Sequence, residues 1–141
     1  MDNALTIIGF YFTLIGFVSG LFFTRLDSWY GQVREFWGSM KMLEKEPDKI
    51  DKSKKARITL IGLQESAPKG SFIAVGLFTA ILTILSFFIT INNSDVNPFI
   101  FLRIPLVVTV LIYWVGGILL LTKGKELLDK VNSQIIKVLP K

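Results

Sequence analysis

Three stretches, each long enough to cross a bilayer, fall within a chain of only 141 residues: 4–24, 71–91 and a third, 98–122, whose apolar core is 104–122. The first two hold 21 residues each and no charge; at a rise of about 1.5 Å per residue such a helix measures about 31 Å, against a hydrocarbon core of about 30 Å. Lipid offers no hydrogen bonds to an open backbone, so these stretches must be helical. The expectation is an all-α integral membrane protein with three transmembrane helices. They take up about half the chain and leave no room for an independent soluble domain of ordinary size.

Charge orients the spans. The 25–70 loop carries ten Lys/Arg against seven Asp/Glu and the 123–141 tail five against two, whereas Asn92–Asn97 has one charge, Asp95. Basic flanks are retained on the cytoplasmic side, which predicts an N-out, C-in arrangement with loop and tail in the cytosol. Met-Asp-Asn runs straight into the first span without a basic n-region or small-residue cleavage site, so that span is expected to be retained. The setting implied is a prokaryotic plasma membrane or an organellar inner membrane. The same accounting explains the net charge of +5 without nucleic acid.

Gly9, Thr13, Gly16 and Gly20 form one small-residue stripe on the first span, of the kind that lets helix backbones approach closely. Intramolecular packing is the expectation, with a homodimer face as the alternative. Gly76 and Ala80, and later Gly116 and Gly117, extend the set of small contact positions to the other spans. The second span carries Thr79, Thr83, Ser86 and Thr90 as a hydroxyl stripe. Such hydroxyls bond a carbonyl one turn back or reach a neighbouring helix; lining a pore is the alternative. Tyr113 and Trp114 lie mid-span, away from the interface where such rings usually rest. Tyr113 therefore needs a partner, for which Thr79 and Thr83, at similar depth, are the natural candidates, while Tyr11 could play the same part from the first span.

Between the spans, the spacing of Leu26, Trp29, Tyr30, Val33, Phe36, Trp37 and Met40 predicts an amphipathic helix over 25–43. Glu44–Lys55 reads as an exposed charged linker, and Arg57–Leu63 is too short to span. After the 67–70 break, Ser71 is the expected N-cap of the second span. Leu128, Val131 and Ile135 mark one face of a second amphipathic helix in the tail. Both faces suit either a partner or the membrane surface. Arg103, placed before Pro105 in what should be the first helical turn, is expected at the outer interface as an anchor, a headgroup or anion contact, or a bridge to Asp95.

With no Cys and no His, thiolate, imidazole and the usual zinc chemistries are excluded. The carboxylates all lie outside the spans, and no phosphate loop or nucleophile elbow is present. The expectation is a non-enzymatic small membrane subunit packing into a larger complex, with itself or other membrane subunits, without cofactor but with membrane lipid as partner. A homo-oligomeric pore and the membrane anchor of an enzyme complex are the alternatives.

Overall fold

The computed structural model describes residues 2–92 and 98–139, apart from the side chains of 2, 4, 5, 90–92 and 98–102. Every regular element among them is helical: α1 (Asp2–Met40), a 3₁₀ turn (Leu43–Lys45), α2 (Lys49–Glu65), α3 (Lys69–Asn92) and α4 (Pro98–Val138). Three helical stretches, within Thr6–Lys45, Lys49–Ile89 and Arg103–Val138, are long and apolar enough to cross a membrane.

The chain divides into two compact units. The first comprises Met1–Thr24 and Lys69–Gly117. On its part of α1, Ile8, Ile15, Ser19 and Phe22 are buried and fall on one helical line. Ile15 packs with Leu82 of α3 and Leu106 of α4, and Tyr11, Leu14 and Val110 close around them. Lipid tails are as apolar as these side chains, so close packing rather than water exclusion holds them together.

The second unit comprises Arg25–Pro68 and Ile118–Lys141. Leu26, Trp29 and Val33 of α1, Leu43 of the turn, Ala56, Leu60 and Leu63 of α2, and Leu128, Val131 and Ile135 of α4 form its core. Withdrawing a Leu or Val side chain from water stabilises by about 1.5–3 kcal/mol. A Lys137–Glu44 contact at 3.8 Å and a Lys52–Glu46 pair lie on its surface.

Three local expectations are corrected. The stretch 44–55 is not a linker throughout: 49–55 form the start of α2, where Ser53 and Ala56 are small enough to bury while the lysines between them stay exposed. The Ser53 hydroxyl bonds the Lys49 carbonyl at 2.6 Å. Ser71 is not an N-cap, because α3 starts two residues earlier, directly after Pro68. A proline disfavours helical backbone in the residue before it yet fits the start of a helix, so Pro68 separates α2 from α3. Pro105 lies inside α4 rather than in its first turn, a placement membrane helices tolerate; one turn on, the Thr109 hydroxyl donates to the Pro105 carbonyl at 2.7 Å.

Candidate packing and headgroup sites

Tyr113 is the centre of an aromatic cluster in the first unit. It is fully buried, and its hydroxyl donates to the backbone carbonyl of Phe72 at 2.7 Å. The partner is thus a main-chain oxygen of α3, not Thr79, Thr83 or Tyr11. The ring stacks on Phe72 with centroids 5.3 Å apart and planes 21° apart, while Phe23 and Trp114 meet it edge-on at 5.7 and 6.1 Å. Phe22 adds a tilted contact at 5.5 Å. Offset and edge-to-face pairs of this kind contribute about 0.5–1.5 kcal/mol beyond area burial.

Glycines make this cluster sterically feasible. A Cβ at Gly76 would run into the Trp114 ring, one at Gly117 into the Phe72 ring, and one at Gly116 would come within 3.1 Å of Phe23. These three expected packing positions lie against rings of the aromatic cluster; Ala80, one turn after Gly76 in α3, is half-buried.

The stripe on α1 is placed differently. Gly9, Thr13, Gly16 and Gly20 are all exposed, and a Cβ at any of the three glycines would meet no atom within 4 Å. Intramolecular packing through this stripe is therefore not what the structure shows: the Ile8, Ile15, Ser19 and Phe22 line makes the contacts. Periodicity identified the small face and could not tell which neighbour it served.

The hydroxyl stripe is satisfied along its own helix. Thr79 donates to the Gly76 carbonyl at 2.9 Å, Thr83 to Thr79 at 2.8 Å and Ser86 to Leu82 at 2.8 Å. Thr79 and Ser86 are buried and Thr83 half-buried. The Thr90 side chain lies outside the described residues. Thr13 and Thr24 likewise bond the carbonyls of Gly9 and Gly20. Ser19 differs: its hydroxyl is buried without a hydrogen-bond partner among the described residues.

Arg103 places its guanidinium over the Phe87 ring, 5.3 Å from the centroid. This cation–π contact joins α4 to α3 within the first unit. The expected bridge to Asp95 falls outside the described residues.

In the second unit, the expected partner face is largely used internally. Trp29, Val33, Leu128, Val131 and Ile135 are buried, and Tyr30, Phe36, Trp37 and Met40 are half-buried. The Trp29 indole N–H donates to the Leu63 carbonyl at 3.0 Å, and its ring occupies the space a side chain at Gly124 would need. Gly31 and Gly38 face open space instead.

One site was not anticipated. Arg25, Ser28, Trp29, Gln32, Ser66 and Pro68 line an open cleft of about 230 Å³ in the second unit. The available signal was positional: Arg25 is the first charge after the 4–24 stretch, and Ser66–Pro68 lie just before α3. The chain matches no family model, no curated protein and no solved structure.

Proposed function

We propose that this chain is a non-enzymatic small integral membrane subunit that packs through α1 into a larger membrane assembly. The observation that carries this reading is the small-residue stripe Gly9, Thr13, Gly16 and Gly20, which faces away from the chain's own helices and is left uncovered. A strip of bare backbone is poorly filled by mobile acyl chains and well filled by another helix. A second support lies on α2, where Ile50, Ile58 and Ile61 stand exposed along one helical face. Outside an apolar span, such a face suits a protein partner or the membrane surface. The basic loop and tail support an N-out, C-in topology in a prokaryotic plasma membrane or an organellar inner membrane.

The hydroxyl stripe weighs against a pore formed by this chain. Its donors Thr79, Thr83 and Ser86 are already bonded to carbonyls of α3, and Thr79 and Ser86 are turned inward. Service as the anchor of an enzyme complex would use the same α1 face and is distinguished by what co-purifies.

The test is the mass and subunit composition of the native particle in mild detergent, for the natural chain and Gly16→Leu. We expect a particle larger than one chain, dissociated by Gly16→Leu while membrane insertion persists. A monomer in both cases, or an assembly indifferent to Gly16→Leu, refutes packing through α1.

A further inference from the structure

We infer that the cleft lined by Arg25, Ser28, Trp29, Gln32, Ser66 and Pro68 binds a phosphate group carrying net negative charge, supplied by the headgroup of an anionic lipid. The inference goes beyond the subunit reading and does not depend on it.

Among the described residues, Arg25 is the only charged one lining the cleft. Neither it nor Ser28 nor Gln32 has a hydrogen-bond or ion-pair partner among the described residues, and no carboxylate lines the cleft to neutralise the guanidinium. A planar guanidinium presents paired N–H donors that match two phosphate oxygens, and charge-assisted bonds of this type are about twice as strong as neutral ones. The Ser28 hydroxyl and the Gln32 amide add donors one and two helical turns along α1 from Arg25. Ser66 reaches the Leu63 carbonyl at 3.3 Å, a long bond readily exchanged for a phosphate oxygen.

The other wall is apolar and fixed. The Trp29 N–H is committed to the Leu63 carbonyl, which holds the indole as a rigid side of the cleft, and Pro68 is buried beside it. One cationic and one apolar wall suit a phosphodiester attached to a glycerol backbone. Position supplies the source. Arg25 ends one uncharged stretch and Ser66–Pro68 precede the next, and a loop joining consecutive spans emerges on one side of the bilayer, so both lie at headgroup level.

The test uses the full chain in a neutral detergent. Native mass spectrometry reads lipid retained from phosphatidylglycerol or phosphatidylcholine, and calorimetry reads binding of inorganic phosphate. We expect one phosphatidylglycerol per chain, held about tenfold more tightly than phosphatidylcholine and weakened about tenfold by Arg25→Gln. Arg57→Gln, on the exposed side of α2, should change nothing, and Arg25→Lys, which keeps the charge without the fork, should keep part of the affinity. Circular dichroism and melting temperature matched to the natural chain exclude misfolding of Arg25→Gln, which alters an exposed side chain. Arg25-dependent binding of inorganic phosphate without a lipid preference retains the phosphate site and assigns it a free anion. Equal retention of the two lipids without phosphate binding, or retention that survives Arg25→Gln, overturns the proposal.

Discussion

Replacing Gly124 with alanine should weaken the second helical unit, whereas the same exchange at Gly38 should strengthen it. Both glycines lie in helices, where alanine is favoured by about 0.8–1.0 kcal/mol. A Cβ at Gly38 meets nothing within 4 Å, so a gain is realised there, reduced by its place in the last turn of α1. At Gly124 the Cβ collides with the six-membered ring of Trp29, which is only 6% exposed. That ring cannot slide aside without disturbing its N–H bond to the Leu63 carbonyl, 3.0 Å long. Overpacking costs about 1–3 kcal/mol and a lost neutral hydrogen bond about 0.5–1.5 kcal/mol, so after the propensity gain a net loss of about 0.5–3.7 kcal/mol remains. Reversible denaturation in detergent, followed by tryptophan emission and far-UV circular dichroism, measures both variants. Gly124→Ala should also shift the native emission to the red as the indole is displaced. Equal stabilisation by the two substitutions would refute the packing of Trp29 against α4.

Tyr113→Phe removes the hydroxyl that reaches the Phe72 carbonyl but leaves the stacked ring in place; the loss should be about 0.6 kcal/mol, the average for side-chain hydrogen bonds in a membrane protein, as read by steric-trap or detergent unfolding. Thr83→Cys should react slowly with a membrane-impermeant thiol reagent because the position is half-buried within the first unit, and rapid labelling would revive the pore. The Lys130 hydrogen bond to Glu126, reinforced by its charge, holds that carboxyl below the usual range. A lowered folded-state value means the pair stabilises α4 above the ordinary carboxylate range and loses this contribution as pH falls through the lowered value. In a carbon-detected NMR titration, Lys130→Gln should move the Glu126 midpoint upward, and an unchanged midpoint would refute the pairing.

That the chain holds three helices long and apolar enough to span was legible because continuous apolarity and bilayer thickness impose one length. Buried positions on α1 and α4 outside the spans, such as Val33 and Val131, were legible because their helical spacing is regular. Much of α2 was not. Its buried line begins with Ser53 and Ala56, which hydropathy does not distinguish from the lysines' solvated surroundings. Its exposed face then carries isoleucines, blurring the contrast further. The partner of Tyr113 was missed because a backbone oxygen has no signature in the side-chain sequence. Gly124 was overlooked although an uncapped glycine within a helix, at a cost of about 1 kcal/mol, is itself a sign of close approach. The Arg25 cleft joins residues about forty positions apart, and only the α1–α2 packing brings them together.

The way the hydroxyls are satisfied bears on how the chain enters the bilayer during synthesis. Thr79, Thr83 and Ser86 complete their bonds within α3, Thr13 and Thr24 within α1, and Thr109 within α4. Each segment can therefore leave the insertion machinery with these groups already masked, before it meets a neighbour. The Tyr113 hydroxyl is different, because its acceptor belongs to α3. Until the two helices meet, that donor lacks this acceptor, and burying it unpaired would cost about 1–3 kcal/mol. The tyrosine thus acts as a late latch, rewarding the encounter of α4 with α3 after both have been delivered independently.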